Sequence, residues 1–167
     1  MPLYYFDTSA LLKRYRTEDG TDVLDAIFSG PSRNEFFIPS HFTAVEVESV
    51  AARALRGRLL NKKSHGTLLN TFAADLEHLL IVLPVSTALL SEAALVARQY
   101  SLRASDAVHL ASVLRAKQAS AVEIVFVASD KELVEAAEAA GLAVLNPENE
   151  EALLYLRRLR GRTVQDQ

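Results

Sequence analysis

Short apolar runs alternate with longer amphipathic stretches along most of the chain. The short runs predict strands at Leu3–Asp7, Phe36–Pro39, Ile81–Pro84, Glu123–Ala128 and Ala143–Leu145. Within the fourth run, Ile124–Val127 contains no polar residue, as expected of a strand that is buried on both faces of a parallel sheet. Strands and helices that alternate in this way predict a parallel sheet with helices on both faces.

Helical patterns fill the intervals between these runs, near residues 9–16, 21–29, 41–56, 60–79, 87–99, 105–117 and 131–140. Gly57 and Gly141 each follow a stretch rich in Ala, Leu or Arg, so we predict that helices end there. The 41–79 region is then a helical hairpin, which is longer than a minimal crossover between strands requires. Because no internal repeat, low-complexity segment or linker interrupts the pattern, we place no domain boundary.

A last helix is predicted after Pro147. The acidic segment Glu148–Glu151 comes first and the basic segment Arg157–Arg160 comes last, an order that suits the helix dipole. The basic cluster Arg157–Arg162 could contact an anionic partner, but a solvated helix end is the more common role of such a charge run. The polar residues Gly161–Gln167 are expected to fray.

Composition restricts the class of protein without naming a function. The chain has 167 residues, half of them hydrophobic, which is enough for one domain with a proper core. It contains no Cys, which excludes disulfides and thiolate metal sites and fits a reducing compartment. The apolar run Leu3–Phe6 ends at Asp7 and no stretch approaches the ~20 apolar residues of a membrane span, so we expect a soluble, cytoplasmic protein. A net charge of −3 argues against a broad nucleic-acid surface but not against a local site that recruits divalent cations.

Two acids follow predicted strands and begin predicted helices. Asp7 ends the first strand and precedes a helical pattern, and Asp130 comes shortly after the strand Glu123–Ala128 and precedes another. Ligands of parallel α/β sheets bind beyond the carboxyl ends of the strands, which is where both acids are expected. The alternative for each is a plain helix cap, and for Asp130 taken alone the cap is the better interpretation.

Asp106 begins a helical segment and is predicted to point inward. Leu110, Val113 and Leu114 follow it at positions i+4, i+7 and i+8, so the acid shares their apolar stripe. A buried carboxylate without a partner is costly, so Asp106 should face a metal ion, an Arg or backbone donors.

Glu46 and Glu48 lie on the same predicted helix but face different ways. Glu46 is followed at i+4 and i+8 by Val50 and Ala54, at the edge of the apolar stripe. Glu48 is followed at i+8 by Arg56, a plausible surface partner. We therefore choose Glu46 as the functional residue and leave Glu48 to solvent.

Together these acids predict a metal centre. Several carboxylates in one cleft would repel each other strongly, and hard divalent cations relieve that repulsion. Ligand sets made only of oxygen favour Mg²⁺ or Mn²⁺ over zinc. Such ions can activate water and stabilise the charge that develops on a phosphate during hydrolysis.

Four segments, in this order and spacing, resemble the PIN-domain family and in particular its VapC-like toxins. They are Tyr5–Leu11, the helix around Val45–Val47, Leu102–Ala111 and Phe126–Asp130. The resemblance runs from about Leu3 to Pro147 (domain 1–147), and we treat 148–167 as a C-terminal helical extension of the same domain.

The resemblance implies an α/β fold, a three-layer α/β/α sandwich around a mostly parallel sheet of about five strands. It implies Mg²⁺- or Mn²⁺-dependent cleavage of RNA, with Asp7, Glu46, Asp106 and Asp130 as the acidic quartet that binds metal and catalyses the reaction. Thr8 or Ser9 matches the family's small hydroxyl position after the first acid. A cognate antitoxin protein and a homodimer are implied as well.

Other polar residues near these segments have open roles. His109 follows Asp106 at i+3 and could be a ligand or a general base, although a packed histidine that hydrogen-bonds locally is about three times more common in so apolar a setting. Arg103 could contact a substrate phosphate or be an ordinary surface Arg. Lys13 and Arg14 share that ambiguity.

Three rival functions remain. Haloacid-dehalogenase-like phosphatases also place an Asp after the first strand, but they need a second Asp two residues later, where this chain has Ser9. A PIN fold that has lost its metal is a possible binding module, although the complete set of acids argues against it. An RNA-processing nuclease without an antitoxin is the closest rival. An antitoxin-like reading frame immediately upstream would separate a toxin from that rival.

Overall fold

Four parallel strands form the centre of the fold. The computed structural model describes residues 3–29 and 35–165. The strands are β1 (Leu3–Phe6), β2 (Phe36–Ile38), β3 (Ile124–Val127) and β4 (Ala143–Leu145), in the spatial order β2-β1-β3-β4. All three pairings are parallel, so every strand ends at the same edge of the sheet.

The prediction of a strand at Ile81–Pro84, the third of the five predicted strands, is wrong. This segment runs beside β2 and forms only two isolated parallel bridges, Phe37 with Leu80 and Ser40 with Leu83. The Ile81 and Leu83 amides donate to the Phe37 and Pro39 carbonyls, each at 2.9 Å. Between these bonds a parallel ladder needs an amide proton from residue 39, which proline does not have. The ladder therefore breaks at Pro39, and the sheet has four strands.

Eight helices surround the sheet in the described part of the chain, close to the predicted positions. Their bounds are α1 Thr8–Leu12, α2 Thr21–Phe28, α3 His41–Arg56, α4 Lys62–His78, α5 Thr87–Tyr100, α6 Ala104–Ala119, α7 Lys131–Ala139 and α8 Ala152–Gln165. The predicted hairpin of the 41–79 region is confirmed as α3 and α4.

The first helix ends earlier than predicted. Its pattern extends to residue 16, but α1 stops at Leu12 and the chain continues in turns. The carbonyl of Lys13 accepts a 3.0 Å hydrogen bond from the Thr21 hydroxyl, so it is occupied by a side chain rather than by the next helical amide. This bond fixes the entry into α2.

Both predicted helix ends at glycine are confirmed. Gly57 caps α3 with φ −77°, and the neighbouring Arg58 takes the left-handed conformation at φ 59°. Gly141, after α7, has φ +75°. Of these two glycines, only Gly141 therefore takes a backbone conformation that other residues rarely adopt.

The sheet divides the core into two layers, as expected for an α/β/α sandwich. Tyr4 and Phe6 of β1 belong to the core on one face, and Tyr5 belongs to the core on the other. This alternation follows from the two-residue period of a strand. All three side chains are fully buried.

The C-terminal extension packs onto the first of these cores. Its buried residues Ala152, Leu156 and Leu159 lie in the same cluster as β1 and α2. α8 begins after the acidic segment and continues to Gln165, and Asp166 and Gln167 lie outside the described residues. Fraying of the segment from Gly161 stays a prediction. No helix in the described ranges is long and apolar enough to cross a membrane.

Candidate active site

The four predicted acids line one cleft at the carboxyl edge of the sheet. The cleft has a volume of about 430 Å³, and Asp7, Glu46, Asp106 and Asp130 all lie on its wall. Asp7 directly follows β1, and Asp130 follows the neighbouring β3, while Glu46 and Asp106 come from α3 and α6. Residues from four separate parts of the chain therefore meet at one place.

Asp7 is both a helix cap and a member of the cleft. Its Oδ1 accepts the Ala10 amide at 2.8 Å and its Oδ2 accepts the Ser9 hydroxyl at 2.6 Å. Burial raises the pKa of Asp7, against the opposing effects of His109 and of these hydrogen bonds. The two interpretations of Asp7 are thus compatible, because the cap fixes the orientation of a carboxylate that lines the cleft.

Asp106 and Asp130 are close enough to influence each other. Asp130 caps α7 by accepting the Leu133 amide at 3.0 Å. Burial raises the pKa of Asp106, and the negative charge of Asp130 raises it further. Its one protein hydrogen bond among the described residues is a 3.4 Å contact from the Ser105 hydroxyl. A partly buried carboxylate should have a partner, and among the described residues Asp106 has only this weak protein donor.

The structure places the two glutamates of α3 on different sides of the helix, as their spacing predicts. Glu46 lines the cleft, whereas Glu48 is exposed and forms no ion pair with Arg56 in the part of the chain described. The Oε2 of Glu46 accepts hydrogen bonds from the Thr8 hydroxyl and, at 2.8 Å, from His109 Nε2. Burial raises the pKa of Glu46, but these two hydrogen bonds outweigh it and hold the pKa below its ordinary value.

His109 is buried at the base of the cleft, and its partners are not local. Its Nε2 contacts Glu46 and, at 3.3 Å, the Thr8 hydroxyl, and its Nδ1 lies 3.2 Å from the Tyr5 hydroxyl. The expected packed histidine agrees with the burial of the ring, but its hydrogen-bond partners are distant in sequence rather than local. The His109 side chain reaches Tyr5 of β1 and Glu46 of α3, residues that are distant from it in sequence.

Of the remaining predicted residues, Thr8 and Ser9 bond to the acids of the cleft and Arg103 does not line it. Thr8 and Ser9 each donate to a different acid of the quartet, Glu46 and Asp7 respectively. Arg103 is exposed at the N-terminus of α6 and is not part of the cleft wall, although its charge lowers the pKa of Asp106 slightly against the effects that raise it.

The basic residues Lys13 and Arg14 have structural roles. Lys13 is buried and forms a 2.6 Å ion pair with Glu148 of the C-terminal extension. Arg14 binds both carboxylate oxygens of Asp75, at 2.7 and 3.1 Å. Neither side chain lines the cleft.

The basic segment of α8 is only partly a solvated helix end. Arg157 and Arg158 are exposed, but Arg160 binds both oxygens of Glu35 at 2.8 Å and the carbonyls of Ala26 and Ile27. The Glu35 side chain is only 2% exposed. Arg160 therefore attaches α8 to the end of α2.

Sequence analysis missed Arg53, the one Lys or Arg on the cleft wall among the described residues. It lies seven positions after Glu46, on the same face of α3, and its Nη1 donates to Ser49 at 2.7 Å. Spacing at i+7 from a chosen acid is the signal that could have found it. Arg53 gives an otherwise acidic cleft one group that attracts anions.

The donor set of the cleft fits a hard divalent cation in kind. All four acids offer oxygen, which Mg²⁺ and Mn²⁺ prefer. Burial and then repulsion by Asp130 raise the pKa of Asp106, and a cation would relieve that repulsion. As the side chains stand, no three Asp, Glu or His side chains in the described ranges are grouped closely enough to hold one ion. Protein donors occupy both oxygens of Asp7 and one oxygen of Glu46.

Known proteins resemble this chain in sequence and in fold. The model of the PIN domain family matches residues 4–139. Ribonuclease VapC45 of Mycobacterium tuberculosis is 31% identical over 147 residues, covering 86% of this chain and 95% of that protein. The solved structure of VapBC-1 from nontypeable Haemophilus influenzae matches with a TM-score of 0.61 and 11% identity, over 88% of this chain and 99% of that chain. PAE2754 from Pyrobaculum aerophilum matches with a TM-score of 0.59 and 20% identity, over 95% and 89%.

Proposed function

The chain belongs to the PIN domain family, and from that premise we propose that it is a Mg²⁺- or Mn²⁺-dependent endoribonuclease that acts as the toxin of a toxin–antitoxin pair. The observation that most supports the proposal is the convergence of Asp7, Glu46, Asp106 and Asp130 in one cleft. The likeness to a VapC ribonuclease supports RNA as the substrate.

The four acids would hold the metal. Bound there, the ion supplies an activated water molecule and stabilises charge on the phosphate that is cleaved. Asp106 and Asp130 gain most from it, because their mutual repulsion contributes to the raised pKa of Asp106. Asp106 also has the weakest protein hydrogen bond of the quartet, which leaves it free to turn toward an ion.

The groups around the acids prepare the cleft for this chemistry. Ser9 and the Ala10 amide fix Asp7, and Thr8 and His109 fix Glu46. Side chains that are held in place before substrate arrives need no rearrangement in the transition state.

Arg53 is the residue that contacts the RNA backbone. The chain carries a net charge of −3 and the cleft is lined by four acids, so a polyanion needs a local cation to approach. Arg53 lies on the cleft wall and can present several N–H donors to phosphate oxygens.

The partners of the protein are a cognate antitoxin and a second copy of the chain, as the likeness to VapC-like toxins implies. The fold likeness to a chain of VapBC-1 supports the antitoxin partner. Val45, 64% exposed at the cleft, and Leu90 and Leu95 of α5, 49% and 61% exposed, give apolar surface for such contacts. The protein acts in the cytoplasm, where its RNA substrate lies.

Production of the chain alone in a bacterial host tests the toxin assignment. We expect growth arrest by the parent, relief by Asp106→Asn, and relief by co-production of the protein encoded immediately upstream. Arrest by Asp106→Asn at the same protein level would mean that toxicity comes from binding rather than cleavage. A harmless parent that still cleaves RNA when purified would favour a processing nuclease.

A further inference from the structure

A buried tyrosine, a buried histidine and an acid of the cleft form one hydrogen-bonded chain. Tyr5 of β1 is fully buried, and His109 of α6 is 2% exposed. The Tyr5 hydroxyl lies 3.2 Å from Nδ1 of the ring, and Nε2 on the opposite side lies 2.8 Å from Oε2 of Glu46. The histidine thus connects the interior of the sheet to the cleft.

The direction of hydrogen bonding follows from the acceptor at the end of the chain. A carboxylate can only accept, so Nε2 must be the protonated ring nitrogen. A neutral ring then leaves Nδ1 as an acceptor, which matches the Tyr5 hydroxyl as a donor. A tyrosine hydroxyl carries a proton that it can donate, and the Tyr5 hydroxyl lies within hydrogen-bond distance of Nδ1.

Only one oxygen of Glu46 takes part in this arrangement. Oε2 accepts from both His109 and Thr8, while Oε1 has no hydrogen bond to a described residue. The carboxylate is thereby held through one oxygen, and the other remains available to a ligand in the cleft.

We propose that Tyr5 and His109 are positioning residues that fix the orientation of Glu46, so that this acid binds a divalent cation through Oε1 alone. The inference rests on the proposed metal-dependent function. It adds that hydrogen bonds from Tyr5 of β1 through His109 orient one of the metal-binding acids. Both residues act through Glu46, because the hydrogen bond from His109 Nε2 ends at Oε2 of that acid.

Packing alone does not account for the histidine. The ring lies among apolar and aromatic neighbours, with centroids 6.1 Å from Tyr5 and 6.0 Å from Phe42. Leucine would fill such a place without burying polar nitrogens, so a role in packing predicts that His109→Leu is harmless. A positioning role predicts the opposite.

Calorimetric titration with Mn²⁺ separates these roles. Loss of a group that orients a metal ligand weakens metal binding by about 10- to 100-fold, and we expect that loss for Tyr5→Phe and for His109→Leu. His109→Gln keeps an N–H donor near the position of Nε2 and should recover part of the affinity. Tyr4→Phe is the matched control, because Tyr4 is the neighbouring buried tyrosine and its hydroxyl contacts Glu35, away from the cleft. Its affinity should equal that of the parent.

Nitrogen NMR of the histidine ring gives a readout that is independent of metal and of activity. The signals of His109, assigned by their loss in His109→Gln, should show a proton on Nε2. A ring protonated on Nδ1 alone would overturn the inference, because Nε2 could not donate to Glu46. Each variant is first checked for a cooperative melt, and Tyr5→Phe keeps the test available if His109→Leu does not fold.

The outcomes distinguish this inference from the proposed function. If the parent binds Mn²⁺ and Tyr5→Phe and His109→Leu bind it as tightly, the positioning inference alone fails. If the parent binds no Mn²⁺, the metal-dependent function fails and the inference fails with it. Better binding by His109→Leu than by His109→Gln would also overturn the inference.

Discussion

The amide of Asp7 donates a 3.0 Å hydrogen bond to the carbonyl of Val127, the last residue of β3. The register of the sheet therefore fixes the first acid of the cleft beside the strand that leads to Asp130. Two acids that are far apart in sequence lie at one edge because their strands are neighbours. A site attached to strands in this way is more precisely held than one built on loops alone.

The two glutamates of α3 allow a matched comparison. We expect Glu46→Gln to reduce RNA cleavage by on the order of 100-fold, the scale on which metal sites lose function when a coordinating group or its support is removed. Glu48→Gln should leave the rate nearly unchanged, because Glu48 is exposed and outside the cleft wall. Cleavage rates at equal Mn²⁺ and equal enzyme check the pair, and comparable losses would show that the facing of α3 is misassigned.

Arg53→Gln should weaken RNA binding and change its salt dependence. One phosphate contact fewer lowers the slope of log affinity against log salt by about 0.7 for a single strand. Arg56→Gln is the control, since Arg56 is exposed on the same helix and does not line the cleft. Filter binding of a single-stranded RNA at several salt concentrations measures both slopes. An unchanged slope for Arg53→Gln would remove this residue from the substrate contacts.

The metal-free protein should become more stable when Asp106 loses its charge. A carboxyl group whose pKa is raised by folding stabilises the fold at low pH and loses that contribution as the pH rises through the raised value. Burial and Asp130 raise the pKa of Asp106, so the parent is penalised near neutral pH and Asp106→Asn is not. Thermal melts in chelator should show a higher melting temperature for the variant at pH 7.

The same comparison at low pH provides the control for that prediction. Below the ordinary pKa of an aspartate, about 3.9, both folded and unfolded forms of the parent bind the proton. The advantage of Asp106→Asn should therefore disappear there. A variant that is less stable than the parent at both pH values would contradict the account of repulsion in the cleft.

Breaking the ion pair between Arg160 and Glu35 should destabilise the fold without changing the cleft. Glu35 would be left with its side chain only 2% exposed and without its cation, at a cost of about 3 kcal/mol. Urea unfolding of Arg160→Met measures this loss. Arg157→Met, an exposed change on the same helix, should have little effect on the free energy of unfolding. Mn²⁺ affinity should be the same in both variants.

The sequence was sufficient to predict the acids, because each lies where a local pattern places it. Asp7 and Asp130 follow buried strands, and the helical stripe after Asp106 predicts the inward direction that the structure shows. The interruption at Ile81–Pro84 was also predictable in principle, since Pro39 ends the predicted partner strand Phe36–Pro39 and cannot donate to a ladder.

The hydrogen bonds and ion pairs around the acids were not predictable from local sequence patterns. His109 bonds to Tyr5, 104 positions away, and to Glu46, 63 positions away, and no helical or strand period relates such distances. Arg14 and Asp75 are likewise 61 positions apart. These contacts depend on how α3, α4 and α6 pack against β1 and α1, which only the assembled fold determines.

The rate of RNA cleavage as a function of Mn²⁺ concentration tests the central claim most directly. The account predicts no cleavage by the purified parent in chelator, a rate that rises with Mn²⁺ and saturates, and recovery of the rate when metal is restored. Asp106→Asn, nearly the same size as the parent residue, should require far more Mn²⁺ and reach a much lower rate. Full cleavage in chelator, or an Asp106→Asn curve that coincides with that of the parent, would contradict the assignment of this cleft as a metal-dependent ribonuclease centre.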